Sequence, residues 1–169
     1  MRCIADTATP RTSSLPGAEA PALPRLRGFA DRDLPHITDI VADALHEHYD
    51  STLYRSLSEQ WPEGFLVAVD AADAPIGFLL GVTQMEREAR VLMFAVDRPR
   101  RLQGVGTLLM QTFLERCRAR GMRRVTLEVR VSNATAIRFY TRFHYSVTDL
   151  LRGYYSDGEN GYQMARDLV

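Results

Sequence analysis

Arg101-Leu102-Gln103-Gly104-Val105-Gly106-Thr107 lies between an apolar, β-branched run ending at Val96 and a helical apolar pattern beginning at Val105. A strand that turns into a helix through glycines presents the first N–H groups of that helix without intrahelical partners. The positive end of the helix dipole stands behind them, so the turn makes a seat for a phosphate or pyrophosphate. Glycine at 104 and 106 keeps side chains off those amides. A nucleoside-triphosphate loop is excluded, because Gly106 is followed by Thr107-Leu108 and not by Lys with Ser or Thr. A dinucleotide-binding turn would want a third glycine, with an acidic residue about 20 positions on, in the first strand-helix unit of the chain; here the stretch lies well past the middle, so that reading fails too. An ordinary strand-to-helix turn stays open as the alternative on these residues alone.

Around this stretch the chain has 169 residues, 46% hydrophobic and 25% charged, which suits one globular domain with a core of its own. Formal charge is zero, so no general attraction to nucleic acid or to an anionic membrane is expected. Apolar runs such as Phe78 to Leu80 are far too short to span a bilayer. Residues 1–22, rich in Ala, Thr, Ser and Pro and without periodicity, read as a disordered tail, leaving 23–169 as the domain. The tail lacks the apolar stretch of a secretory signal, and the cytoplasm is the expected compartment. Cys3 and Cys117 make no disulfide framework; Cys117 shares a helical face with Leu109 and Phe113 and reads as a buried structural residue.

In chain order, Leu23 to Phe29 reads as a strand, and Asp31 as the N-cap of a helix carrying Leu34, Ile37, Ile40, Val41, Ala44 and Leu45 inward. His36, His46 and His48 lack the partners of a metal site. A second helix over Ser51 to Glu59 ends before Trp61-Pro62. Phe65 to Val69, Ile76 to Thr83 and Arg90 to Val96 read as an antiparallel meander. The helix after the glycine turn carries Leu108, Leu109, Phe113 and Cys117 inward and stops at Gly121. Arg124 to Val131 alternates Val125, Leu127 and Val129 with Thr126, Glu128 and Arg130, a strand with one polar face. Ser132-Asn133 caps a further helix containing Ala136, Phe139 and Tyr140, and Tyr145 to Leu151 pairs with Tyr162 to Leu168 as a hairpin. The expected class is α/β: a mixed, mostly antiparallel sheet of about seven strands flanked by about four helices.

From about Leu23 to Val169 these segments resemble the GNAT superfamily of acetyl-CoA-dependent N-acetyltransferases. Arg101-Leu102-Gln103-Gly104-Val105-Gly106 is similar to its acyl-CoA loop, Q/R-x-x-G-x-G/A. Leu127-Glu128-Val129-Arg130-Val131-Ser132-Asn133, Ala136-Ile137-Arg138-Phe139-Tyr140 and Gly153-Tyr154-Tyr155-Ser156-Asp157-Gly158-Glu159-Asn160 resemble the protein N-terminal α-acetyltransferases. These include the archaeal enzyme, the catalytic subunit of the eukaryotic major complex and the bacterial ribosomal-protein alanine acetyltransferase. Leu45-His46-Glu47-His48-Tyr49 resembles the family's L-P-E-N-Y, and Gln60-Trp61-Pro62 its S-W-P.

The resemblance implies acetyl-CoA as co-substrate, no metal, and a peptide or protein N-terminus as acceptor. Backbone groups of Phe94 and Val96 would hold the pantetheine arm, the stretch Arg101, Leu102, Gln103, Gly104, Val105, Gly106 and Thr107 the pyrophosphate, and Asn133 would contact the arm while capping its helix. Glu128 would deprotonate the amine; the plainer alternative is a solvated or Arg130-paired strand glutamate. Tyr140 would serve the leaving thiolate as general acid, the alternative being a core tyrosine. Glu47 is either a second carboxylate at the amine or a helix-end charge. Tyr49, Tyr154 and Tyr155 would line the acceptor site, although aromatic loop residues also serve packing. Arg98, Arg100 and Arg101 either meet the cofactor's 3′-phosphate or form a solvated basic face, with no nucleic-acid partner expected. Work at the ribosome, as monomer or homodimer, goes with this reading. Leu92 and Met93 stand where relatives often carry a polar group for a catalytic water, and His46 and His48 replace the usual Pro and Asn. Two rivals are a GNAT acting on a small-molecule amine or lysine side chain, and a non-catalytic acyl-CoA-binding module.

Overall fold

A computed structural model describes residues 24–45 and 49–168, with the side chain of Leu45 left aside. The expected tail, Leu23, His46, Glu47, His48 and Val169 lie outside the described residues. The elements are β1 (Arg25–Gly28), α1 (Leu34–Leu45), α2 (Ser51–Gln60), β2 (Phe65–Val69), β3 (Pro75–Met85), β4 (Glu88–Val96), α3 (Val105–Ala119), β5 (Arg124–Arg130), α4 (Ala134–Arg142), β6 (Ser146–Leu151) and β7 (Gly161–Asp167). All seven strands join one sheet in the order β1-β2-β3-β4-β5-β7-β6.

Two apolar layers sandwich the sheet. On one face Ile37, Val41, Tyr54, Phe65, Phe78 and Met93 pack beneath α1 and α2; on the other Leu79, Phe94, Leu109, Phe113, Leu127 and Tyr140 pack beneath α3 and α4. Alternate residues of a strand face opposite layers, which is why neighbouring Phe78 and Leu79 belong to different clusters. The helix starts are set locally. Asp50 accepts from the Thr52 N–H at 2.7 Å, and Asn133 from the Ala136 N–H at 3.0 Å. The start of α1 differs from expectation: Asp31 pairs with Arg55, while buried Asp33 accepts from the Ala30 N–H ahead of the helix and holds Arg27 of β1 in a two-pronged pair at 2.7 and 2.8 Å. An acid forked to a guanidinium takes the inward position, since burying it without that partner would cost far more than burying it with one.

Every strand pair is antiparallel except β4 with β5, which run parallel because α3 carries the chain back across the sheet between them. Their ladder is short. It runs from Glu88↔Arg124 to Arg90↔Thr126 and stops, although β4 continues to Val96 and β5 to Arg130. Beyond Arg90 the strands part, leaving the β5-side edge of β4 without its ladder partner. A bulge marks the same place: Leu80 opposes Met93 and Gly81 opposes Val91, so Leu92 is an extra residue. Leu92 and Met93 consequently both face the α1–α2 layer. A bulge bends and twists its strand, which turns the end of β4 away from β5.

Candidate active site

The turn from β4 to α3 lies at the mouth of this gap. Leu102 and Gly104 both take positive φ, 67° and 83°, and α3 begins at Val105 behind a Gly104 that offers no side-chain cap. Left-handed residues alternating along a turn gather successive N–H groups into a concave anion seat. The first helical bond comes from the Leu108 N–H to the Gly104 carbonyl at 3.0 Å, so the amides ahead of Leu108 are the ones a helix leaves for a ligand. The two glycines work differently. Gly104 is required by its φ, whereas a Cβ at Gly106 would meet Phe94 Cζ at 3.4 Å, ordinary contact.

The side chains of this turn brace the protein. Arg101 donates from Nε to the Val96 carbonyl at 3.0 Å and pairs with Asp43 of α1 at 3.5 Å. Gln103 donates to the Pro99 carbonyl at 2.9 Å, and Arg100 stands 3.9 Å from Asp70. The Asp97 N–H donates to the Ile76 carbonyl at 2.9 Å, so both ends of the Val96–Asp97 peptide are pinned.

Glu128 faces the α1–α2 side of β5 and is 5% exposed. Both sequence alternatives for it, solvated or Arg130-paired, are corrected. Its partner is Arg90, at the last rung of the β4–β5 ladder: Arg90 Nε donates to Glu128 Oε2 at 2.9 Å, and Nη2 lies 2.6 Å from the same oxygen. Arg90 Nη2 also donates to the Tyr154 hydroxyl at 2.9 Å. Burial pulls the Arg90 guanidinium down, but the Glu128 and Tyr154 oxygens more than offset this and hold it above its ordinary value. Arg90 entered the sequence reading only as the first residue of a strand. The one signal it carried was a cation among inward-facing apolar residues of a central strand. The polar face of β5 is likewise not solvated, since Thr126 is as buried as Glu128.

Arg130 is committed to the β6–β7 loop. It pairs with Asp157 at 2.8 Å and with Glu159, and its guanidinium lies 4.2 Å from the centre of the Tyr155 ring. Glu159 also accepts from the Ser132 N–H and hydroxyl, and Asn160 accepts from the Gly153 N–H. Tyr154 and Tyr155 meet edge to face at 5.1 Å; Tyr155 is buried and Tyr154 exposed.

On the opposite face, Tyr140 is fully buried, with Phe139 at 5.5 Å, Tyr145 at 5.8 Å and Phe94 at 6.5 Å between ring centres. Glu128 and Tyr140 therefore belong to opposite faces of the sheet, on either side of the stretch where β4 and β5 are unpaired. Tyr49 is half-buried against the α1–α2 layer. Glu47 lies outside the described residues. Cys117 is buried, and burial pushes its thiol up to about 12, in keeping with a structural residue. Among the described residues no cluster of three or more His, Cys, Asp and Glu could hold a metal ion, and no helix is long and apolar enough to cross a membrane.

Strands that part after a short parallel ladder, with a glycine turn opening α3 at the end of β4, give the chain the frame of an acyl-CoA-dependent acyltransferase. The chain belongs to the acetyltransferase (GNAT) family, which it matches over residues 34–145. It is 31% identical over 148 residues to an N-alpha-acetyltransferase of Sulfolobus acidocaldarius, covering 80% of this chain and 88% of that one. Among solved structures it is similar to Ard1 from Thermoplasma volcanium, with a TM-score of 0.83 and 40% identity over 86% of this chain and 98% of that one. Naa20 of Chaetomium thermophilum, solved in complex with a bisubstrate analogue, gives 0.78 and 26% over 85% and 86%.

Proposed function

We propose that the protein transfers the acetyl group of acetyl-CoA to the α-amino group of peptide and protein N-termini. The observation that carries the reading is the buried Glu128 carboxylate beside the β4–β5 gap, held between Arg90 and the tyrosine loop. The likeness to an N-alpha-acetyltransferase and to Ard1 supports it.

In this reading the amides from Leu102 to Thr107 hold the pyrophosphate, and the edge of β4 at Phe94 and Val96 holds the pantetheine arm. Asn133 adds a contact while capping α4. The α-amine attacks the thioester carbonyl; the N–C bond forms, the C–S bond breaks, the amine proton passes to Glu128 directly or through a water, and the departing thiolate takes a proton or hydrogen bond from Tyr140. The β4 amide at Val96 faces the developing oxyanion. An α-amino group, with a pKa of about 7.7 to 8.0, is neutral in about a tenth of molecules at pH 7, whereas a lysine side chain near 10.4 is neutral in well under a thousandth. One carboxylate therefore suffices for an N-terminus. Glu47 and Tyr49 border the acceptor with Tyr154 and Tyr155. We place the reaction in the cytoplasm, on nascent chains at the ribosome or on finished ones, with the protein acting as monomer or homodimer.

Labelled acetyl transfer to peptides varied in their first two residues tests the reading. The chain contains no lysine, so label on the enzyme itself can sit only at its own N-terminus or on a non-amine group, which keeps the assay clean. Glu128→Gln is expected to lower turnover by about a hundredfold or more, and Tyr140→Phe by less, both with acetyl-CoA binding retained. Transfer confined to internal lysines or to small-molecule amines would overturn the N-terminal assignment, and unchanged turnover in both variants would remove these two residues from the chemistry.

A further inference from the structure

Arg90 occupies a position that the proposed reaction does not itself explain. It stands where the β4–β5 ladder ends, its side chain is 21% exposed, and its two bonding nitrogens reach two segments that are distant in sequence: Glu128 of β5 and Tyr154 of the β6–β7 loop. Both contacts to the carboxylate fall on Oε2. Neither Arg90 contact uses the remaining oxygen, Oε1. A cation beside a buried carboxylate offsets the cost of burying its charge. A fork on one oxygen also fixes which lone pairs point at the acceptor, a task a single-point ammonium performs poorly.

We propose that Arg90 is a positioning residue that ties the catalytic carboxylate to the acceptor loop, so that orientation of Glu128 and docking of Tyr154 are one structural event. The proposal rests on Glu128 being the base. Neighbouring groups divide cleanly. Gln163 of β7 stands opposite Glu128 in the ladder, Thr126 on the same strand bonds to Gln84 of β3 at 3.5 Å, and Arg130 is engaged by Asp157 and Glu159. Among the described residues Arg90 is thus the cation in contact with Glu128. The second anchor of the loop is Arg130, which is spent on Asp157, Glu159 and the Tyr155 ring, so the two halves of the loop can be disturbed separately.

The test uses the full chain with Arg90→Gln, Arg90→Lys, Tyr154→Phe and the Arg90→Gln/Tyr154→Phe double variant, each checked by melting and acetyl-CoA binding. Kinetics are followed against pH with one peptide throughout, so that the peptide's own amine titrates identically in every series. Losing the cation disfavours the ionised carboxylate, so the acid limb of the Arg90→Gln profile should lie at higher pH than the parent's. Its KM for peptide should rise about tenfold. Arg90→Lys should restore the acid limb but not KM. Tyr154→Phe should raise KM alone, and the double variant should be no worse in KM than Arg90→Gln. An Arg90→Gln enzyme with the parental acid limb and KM, or KM effects that multiply in the double variant, would overturn the proposal. If the parent itself transfers nothing to N-termini, the functional reading falls instead. Amide exchange in the Tyr154–Gly158 segment then decides the joint by itself: faster exchange in both Arg90→Gln and Tyr154→Phe supports it, and unchanged exchange in both removes it.

Discussion

Gly104 and Gly106 look alike in sequence and differ in what the fold asks of them. At 104 the backbone sits at φ 83°, a conformation costing an alanine about 1 kcal/mol or more, and relief of that strain would turn the N–H groups away from the anion. At 106 a methyl group finds Phe94 and Val96 side chains at 3.4 and 3.7 Å and needs no rearrangement. Gly104→Ala is expected to weaken acetyl-CoA binding several-fold while Gly106→Ala stays close to the parent; calorimetric titration of both checks this, and equal losses would show that the two positions act alike. The same arithmetic explains a family pattern that admits alanine at the last position but not at the first. Leu102 shows how firmly the turn is set, since a non-glycine residue, 56% exposed, takes φ 67° there.

The β6–β7 loop is an element held by charge more than by apolar contact. Asp157 lies below the usual carboxylate range chiefly through its hydrogen bond from Arg130, and Glu159 chiefly through the Ser132 hydroxyl, with Arg130 adding to it. A carboxylate depressed in the folded state contributes its stabilisation above its unfolded pKa and loses it as pH falls through the folded value. Both contributions are therefore complete at neutral pH and fade below about pH 4. The amides of Tyr155 and Gly158, bonded within the loop, should lose exchange protection in that window before β5 and β7 do. Protection that survives unchanged to about pH 2.5, after correction for intrinsic rates, would show that Tyr155 packing alone holds the loop.

At the scale of the whole molecule, the sheet is two halves, β1–β4 and β5-β7-β6, joined through a short parallel ladder at Glu88 to Arg90 and through the crossing of α3. An acetyl-CoA arm laid along the edge of β4 would fill the gap between them and bind only the folded sheet. At a concentration about 100 times its Kd the cofactor should add about 2.7 kcal/mol, which for a chain of this size raises Tm by about 5 to 10 °C. Glu128→Gln should show the same rise, because the proposed function gives the carboxylate to the acceptor and not to the cofactor; no rise in the parent would remove the gap as the cofactor's place.

Periodicity and punctuation were sufficient for the elements. Val125, Leu127 and Val129 announce β5, Asn133 caps α4 as its type requires, and Gly121 with φ 79° ends α3 where a glycine is expected. These are near-neighbour effects that any stretch of chain carries within itself. The glycine turn was likewise legible as the start of a helix with unpartnered amides, because the orphan N–H groups of a helix start follow from local geometry. Tertiary structure decided the rest. Asp33 and not Asp31 is the buried acid ahead of α1, because Arg27 on a different element is there to neutralise it. Glu128 is paired with a residue 38 positions earlier, and that residue meets one 64 positions later. No spacing rule connects them. Only the parallel return of β5 beside β4, and the parting of the two strands after Arg90, brings the Glu128 carboxylate, its counter-charge and the β6–β7 loop to one gap, with the glycine turn at its mouth.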